Sequence, residues 1–546
     1  MDIQVDALDK CLSKVTIKIR TMRNALVPTN RLPVEILQQI PSWLPYVSDI
    51  IAASQVCRYW RAAFLSCPDL WTFLDCKSIR ATRAFIERSG VVPLDICIRP
   101  GYSPEAFVYT IPHIQRWGSL DALVTGGEIE PVLATLSAPS SAPKLYNLSV
   151  VPMIGYEGGF VTSKGKILGG VIPSLQRLYF SNLKVDIHKL TTPNLTHLFL
   201  ASTRSEFIDM TTLLDFLERS PLLEDFELRY PGPRLVDIAH PDHVVSLNHL
   251  RRITLWDQGS LFLNHLVLPY GIECELNFLF TDVSATVGFL EEMFGGLPER
   301  LKPIFEAESL SIVPHYARGA IRFLGPSGFM EIFPTFSHAD NASTTRFINY
   351  PCSVLKKVKD LFVGSRNGVI PGWGSTDVRK HLDKMSSLES LTVMHCNNAS
   401  FIQALLPAEG KLSCPTLKNL TIHIGPTESF SIPAFRSMVE QRELHGHKFE
   451  KMVLVFSYEH CIHPAIPNLE VKVDDRPLYW DSKKKIWRYL NEGEVYWEGS
   501  RTLAPPDIIP LGPLPPMNLP PVNLPPMNLP PMNLPPMNLP HIHLPV

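Results

Sequence analysis

Apolar residues along this chain follow two different periods. Near the start they recur at helical spacing. Ile36, Leu37 and Ile40 fall at i, i+1 and i+4, while Ile50, Ala53, Cys57, Trp60 and Phe64 are separated alternately by three and four residues. Each set lines one face of a helix with 3.6 residues per turn. Pro33 lacks an N–H and so suits a first helical position, and Glu35 sets negative charge against the positive end of the helix dipole. A helix is therefore predicted from about Pro33. Ser48 is placed to cap the second stripe, which reads as one continuous helical seam. Pro41 removes a backbone donor and biases Ile40 away from helical angles, so the first helix should be cut short or kinked before Trp43 and Leu44. Pro68-Asp69-Leu70-Trp71 closes the unit.

Beyond this the period changes. Ala84 to Ser89 reads as a helix end and Pro93 to Ile98 as an alternating strand. A degenerate pattern Pro-x-Leu-x-x-Leu-x-apolar then recurs at Pro143/Leu145/Leu148/Val150, Pro173/Leu175/Leu178/Phe180, Pro193/Leu195/Leu198/Leu200 and Pro221/Leu223/Phe226/Leu228. Without its proline it returns at Leu250/Ile253/Leu255 and Leu388/Leu391/Val393. It is complete again at Pro415/Leu417/Leu420/Ile422 and ends at Phe449/Met452/Leu454. Copies start about 20 to 30 residues apart, the period of leucine-rich repeats. The last two apolar positions of each copy are two apart, as a strand requires if both are to point inward. Leu178, Leu198 and Leu420 are thus core positions, and Arg177, His197 and Asn419 face the other way. Segments such as Thr211–Arg219 and Pro433–Arg442 supply helices between strands. No repeat can bury its own face, so the copies must stack, and an α/β solenoid is the predicted fold class. From about Pro231 to Ser375 the pattern is poor. Insertions or irregular repeats are expected there, with an apolar β-branched section near Leu261–Val283 and a helix at Val287–Phe294.

From about Tyr479 the chain changes character twice. Ile486–Leu490 and Glu494–Trp497 flank Asn491-Glu492-Gly493, which predicts an aromatic hairpin able to cap a repeat stack. After about Ala504, Leu-Pro-Pro-Met-Asn units follow one another. Their proline content excludes helix and central strand, leaving polyproline II or disorder. Such a tail could engage a proline-binding domain, but near-identical units read more simply as a repeat expansion.

Composition narrows the function. The 546 residues exceed what one core usually serves. Lys+Arg 51 against Asp+Glu 53 gives a net charge of -2, with no basic run beyond Lys483-Lys484-Lys485, so no nucleic-acid surface is indicated. The ten cysteines form no CxxC pair or compact framework, which predicts reduced intracellular thiols. Met1–Asp6 lacks the features of a signal peptide and no apolar run is long enough to span a bilayer. A soluble cytoplasmic or nuclear protein is expected, in which the Asn-x-Ser/Thr sequons at Asn147, Asn194, Asn341, Asn398 and Asn419 are chance occurrences.

Catalytic chemistry finds little support. His445, His447, His460, Cys461 and His463 are donors suited to zinc, but their spacing fits no common site and a strand at Met452–Phe456 intervenes; solvated loop histidines are the simpler reading. Gly158–Lys166 imitates a phosphate loop, yet its glycine spacing is off by one and Ile167 stands where Ser or Thr would hold magnesium. Hydrolase, metalloprotease and dinucleotide motifs are missing, and neither a cofactor nor an enzymatic activity is expected.

The stretch Leu32-Pro33-Val34-Glu35-Ile36-Leu37, followed by Val56-Cys57-Arg58-Tyr59-Trp60-Arg61, resembles the F-box. The continuation through Arg88-Ser89, Pro93-Leu94-Asp95-Ile96 and His113-Ile114-Gln115-Arg116-Trp117 is similar to F-box proteins of mushroom-forming fungi. The resemblance implies a substrate-receptor subunit of a Skp–cullin–F-box ubiquitin ligase. Leu32, Pro33, Ile36, Leu37, Ile40, Ile50, Ala53, Val56, Cys57 and Trp60 would then serve the contact with a Skp-type adaptor and, through it, a cullin. The repeats would hold an unidentified protein substrate. A leucine-rich interaction scaffold independent of ubiquitin is the alternative. The expected division is a helical segment over 1–28, the F-box over 29–76, the repeat solenoid over 77–478, the capping hairpin over 479–503 and the tail over 504–546.

Overall fold

The computed structural model describes residues 2–43, 47–125, 127–138, 141–153, 161–162, 166–184, 187–201, 210–229, 243–256, 262–263, 265–280, 306–313, 320–336, 355–364, 374–394, 396–408, 410–425, 430–456, 468–473, 478–481 and 486–489. The chain divides into two units, Met1–Asp475 and Arg476–Val546.

The first unit opens with four helices: α1 (Asp2–Leu26), α2 (Val34–Gln39), α3 (Val47–Ser54) and α4 (Arg58–Leu65). Three local expectations are corrected. Pro33 is the extended N-cap of α2 and not its first helical residue; its carbonyl accepts from the N–H groups of Ile36 and Leu37. Ile40 keeps helical angles in spite of Pro41. In a continuing α-helix residue 41 would donate to the carbonyl of Leu37; because Pro41 has no N–H, Ile40 donates there instead and the chain tightens into a 3₁₀ turn over Ile40–Trp43. The first helix is therefore shortened, as Pro41 requires. Finally, the seam from Ile50 to Phe64 is not one helix. It breaks before Cys57, which is fully extended (φ -157°, ψ 174°) and caps α4, and Ser48 lies inside α3 instead of capping it.

A sheet of 17 strands among the described residues follows. Its first members are β1 (Phe73–Leu74), β2 (Leu94–Ile98), β3 (Trp117–Thr125) and β4 (Asn147–Met153). A short ladder pairs β5 (Val161–Thr162) with β7 (Leu183–Lys184), and β6 (Arg177–Ser181) lies between them in sequence but belongs to the large sheet. The sheet continues through β8 (His197–Ala201), β9 (Asp225–Arg229), β11 (Arg252–Trp256) and β13 (Ile272–Phe280), while β10 (Val245–Ser246) pairs separately with β12 (Leu266–Val267). All of these pairings are parallel, and sheet neighbours follow chain order.

The order then reverses within the region of poor repeat pattern. Strands β14 (Ser309–Val313), β15 (Ala320–Gly325) and β16 (Gly328–Phe336) form an antiparallel meander, with β16 set beside β13 and β14 beside β17 (Asp360–Gly364). Parallel succession resumes with β18 (Ser390–Met394), β19 (Asn419–Ile424), β20 (Lys451–Phe456) and β21 (Leu469–Val473). The segment expected to be irregular thus supplies strands to the same sheet, and the helix expected at Val287–Phe294 lies outside the described residues.

The structure explains the proline of the repeat. In each copy the leucine three residues after Ala142, Ile172, Thr192, Ser220 and Cys414 donates its N–H back to that residue, closing a turn whose second position is Pro143, Pro173, Pro193, Pro221 or Pro415. Proline presets the backbone angle this position needs. Copies without it make the same turn, from Leu250 to Leu247 and from Leu388 to Met385. The turn leads into a strand whose predicted inward residues are all buried and stack in register: Leu148, Leu178, Leu198, Phe226 and Ile253 in one row, Leu391, Leu420 and Met452 in its continuation. Each large apolar side chain in these rows contributes about 1.5–3 kcal/mol by its burial. Helices Met210–Glu218, Ser375–Leu382, Asn398–Leu405 and Ile432–Leu444 each bury an apolar stripe. One hydrophobic cluster extends from Leu37 to Phe456. Among the described residues no helix is long and apolar enough to cross a membrane.

In the second unit β22 (Leu478–Asp481) pairs antiparallel with β23 (Ile486–Tyr489), which sets Trp480 opposite Trp487. The hairpin is therefore made with the strand before Ile486; its expected partner, Glu494–Trp497, and the proline-rich tail lie outside the described residues.

Candidate functional site

The helices α2 to α4 are tied to one another by hydrogen bonds from the motif residues. Tyr59 Oη donates to the carbonyl of Leu32 at 2.7 Å, and Gln38 Nε2 donates to the Ala63 carbonyl and to Ser66 Oγ, each at 3.2 Å. Cys57 Sγ lies 3.7 Å from Asn30 Oδ1. The short α2, which could not persist alone, is held by these contacts and by the apolar packing beneath it.

The ten adaptor-contact candidates sort into three groups. Leu37 is fully buried, so its side chain packs the helices and is closed to any partner. Leu32, Ile40, Ile50, Ala53 and Trp60 are half-buried against the core, and Cys57 is half-buried as the cap of α4. Pro33, Ile36 and Val56 are exposed, the last two at 44% and 59%. Trp43, which follows the proline-induced 3₁₀ turn, is 85% exposed, and Tyr59 and Leu65 are also open to solvent. These side chains are the large apolar groups that the helical unit leaves open to solvent. The sequence set Trp43 beyond the break at Pro41, which made its contact with an adaptor less secure than that of Leu32 or Ile36, and passed over Tyr59 and Leu65, because a helical stripe identifies what faces inward and is silent on outward apolar residues. Leu44 lies outside the described residues.

A second group fixes this helical unit to the sheet. Trp71 is fully buried, donates Nε1–H to the Phe64 carbonyl at 3.0 Å, and meets Phe85 edge-on with ring centroids 5.0 Å apart. Arg88 covers the same indole, its guanidinium carbon 4.5 Å from the ring centroid. Arg116 then joins the next turn of chain, donating to the Val92 carbonyl and to Ser89 Oγ. Of the Arg-Ser and Arg-Trp pairs singled out in the sequence, Arg88 thus packs at the junction, while Ser89 and Arg116 tie the end of the next helix to the turn that follows it.

The outward face of the sheet is of another kind. Along one row in register stand Ser149, Tyr179, Phe199, Glu227, Thr254 and Glu275. Tyr179 and Phe199 stack with ring planes 2° apart and centroids 3.8 Å apart. Arg229 ion-pairs with Glu227 and lies over both Phe199 and Trp256, 5.2 and 5.1 Å from their centroids. Burial raises the carboxyls of Asp225 and Glu227 above their ordinary range, and raises the Tyr179 hydroxyl to about 12. Such a surface offers planar, polar and charged contacts in place of an apolar pocket. Arg177 and His197 lie two residues before Tyr179 and Phe199, on the same face of their strands, and Arg177 is exposed.

Metal and phosphate candidates gain nothing here. His445 is exposed and bonded through Nδ1 to the Gln441 carbonyl, while His460, Cys461 and His463 lie outside the described residues. Asp215, Glu218 and His243 bring ligand atoms within 4.8 Å of one another; the acids share a helix face at i, i+3, and the histidine is remote in sequence, which hid the set from a motif scan. Two carboxylates and an imidazole at the surface are common without an ion. Most of Gly158–Lys166 lies outside the described residues, and Ile167, in the place of the magnesium-binding hydroxyl, is buried in the core.

Residues 29–77 match the family model described as F-box-like, and F-box domains generally bind Skp-type adaptors. No curated protein matches the chain.

Proposed function

We propose that this chain is the substrate-receptor subunit of a Skp–cullin–F-box-type ubiquitin ligase. The observation that carries the reading is the exposed apolar set Ile36, Trp43, Val56, Tyr59 and Leu65 on the helices that match the F-box-like family. In this reading Pro33, Ile36 and Val56 contact a Skp-type adaptor directly, Leu32, Ile40, Ile50, Ala53, Cys57 and Trp60 support or border that contact, and Leu37 holds the helices in shape. The large sheet is the strand layer of a leucine-rich-repeat solenoid, and its outward face takes a protein substrate. The chain itself catalyses nothing. It raises the effective concentration of substrate beside the ubiquitin-charged enzyme and orients it through the Trp71–Arg88 junction.

Co-purification tests this directly. Ile36→Asp in the full chain, combined with Val56→Asp, is expected to abolish capture of a Skp-type adaptor with the circular dichroism spectrum and melting temperature unchanged. Full retention of the adaptor by the double variant would exclude the exposed helical face as the docking site. The alternative of a scaffold independent of ubiquitin predicts no adaptor capture by the wild-type chain.

A further inference from the structure

Helix α1 (Asp2–Leu26) carries a second apolar pattern that the F-box reading does not use. Leu8, Leu12, Val15, Ile19, Met22 and Leu26 are spaced alternately by four and three, and all six are between 50% and 71% exposed. This is the a/d repeat of a two-stranded coiled coil, carried along about 27 Å of helix. Nothing about a helix that serves only as a linker requires such a register.

The residues flanking the seam indicate the occupant. Asp9, Thr16 and Arg23 follow Leu8, Val15 and Met22 and form one flank; Cys11 and Lys18 precede Leu12 and Ile19 and form the other. Two copies of α1 running antiparallel can set Leu8 opposite the partner's Leu26, Leu12 opposite the partner's Met22 and Val15 opposite the partner's Ile19, so that every seam residue has a counterpart. The same register brings Asp9 beside the partner's Arg23, twice by symmetry, against one like-charged meeting of Lys18 with the partner's Lys18 at the two-fold axis. A parallel in-register pair would instead place Lys18 against the partner's Arg23 twice, with no attractive pair in return. Flanking charges of this kind set orientation and partner choice in coiled coils. We infer that α1 is a self-association element, through which two copies of this chain pair as an antiparallel coiled coil. The inference stands apart from adaptor binding, since α1 precedes the residues matched to the F-box-like family.

Sedimentation of the full chain across a concentration series tests it. A reversible monomer–dimer equilibrium is expected, lost in Leu12→Asp/Ile19→Asp while the melting temperature of the remaining fold is unchanged. Arg23→Asp, which turns both cross-pairs repulsive, should weaken dimerisation roughly three- to tenfold, and Asp9→Arg/Arg23→Asp should restore it. A chain that stays monomeric at about 100 µM, well above the micromolar range of weak specific pairs, overturns the inference. So does a dimer that Leu12→Asp/Ile19→Asp leaves intact. Tighter association in Arg23→Asp would mean a parallel pair and would overturn the antiparallel assignment.

Discussion

The F-box-matching helices and the sheet differ in what they leave in solvent. The helices expose large apolar side chains, Ile36, Trp43 and Val56 among them. In the sheet unit the outward row from Ser149 to Glu275 is hydroxyl, aromatic and carboxylate; Ser149 and Thr254 are buried and the other four half-buried. The first arrangement suits an invariant partner, because apolar shape match yields affinity with little adjustment. The second suits recognition by polar complementarity, where changing a few side chains changes the partner without touching the rows of leucine beneath. If that division is right, mutations should fall into two classes, one that unfolds and one that only unbinds.

The junction provides the severest test. Trp71 is fully buried, hydrogen-bonded to Phe64 and packed on Phe85 and Arg88. Trp71→Ala should cost about 3–5 kcal/mol by opening a large cavity. Denaturant unfolding measures it, and a loss below about 1 kcal/mol would mean that the helices and the sheet are not one cooperative core.

Next in size is the contrast between faces of one strand. Leu178→Ala, Leu198→Ala and Leu420→Ala each remove a side chain no more than 2% exposed and should cost about 2–5 kcal/mol. Arg177→Ala, His197→Ala and Asn419→Ala on the other face should stay within about 0.5 kcal/mol. Equal destabilisation by the two sets would erase the distinction between core and outward face.

These faces were legible in the sequence because a strand alternates strictly, so Leu178 and Phe180 announce a core and Arg177 a surface without any knowledge of neighbours. The break at Cys57 was not legible. Apolar spacing of three and four continues across it, and only the backbone angle at Cys57 shows that the seam belongs to two helices. The place of β14 to β16 was hidden for a different reason: antiparallel strands obey the same alternation as parallel ones, and pairing order depends on contacts remote in sequence. For the candidate site, the motif gave the helices and the burial of Leu37 separated packing from contact. Trp43 was in view beyond the Pro41 break, but its exposure needed the structure, since it follows from where the Pro41 turn releases the chain.

A smaller effect is expected at the repeat turn. Pro415 occupies the second turn position before Leu417, and Leu388 and Leu250 close the same turn without proline. Pro415→Ala should therefore destabilise by about 0.4–1 kcal/mol, mainly through a more disordered unfolded chain. A loss above about 2 kcal/mol in denaturant unfolding would show that proline is required by the folded turn itself.

The smallest effect concerns the charges along the edge of the sheet just before its strands. Glu308, Lys359, Glu389, Lys418 and Glu450 alternate in sign through successive copies, with Lys418 Nζ 3.8 Å from Glu389 and 3.7 Å from Glu450. At the same positions the backbone makes its own ladder: the N–H groups of Lys418 and Asn419 donate to the Glu389 carbonyl, and those of Glu450 and Lys451 to the Lys418 carbonyl. The side chains are largely exposed, so their attraction is screened, whereas the backbone bonds do not depend on side-chain identity. Lys418→Ala should thus cost at most about 1 kcal/mol at low salt, and the difference from wild type should shrink as salt is raised toward 1 M. A cost that exceeds this and persists at high salt would move the alternating charges from the solvated edge into the structural frame, and the sheet would no longer contrast with the helices as a core whose surface can vary freely.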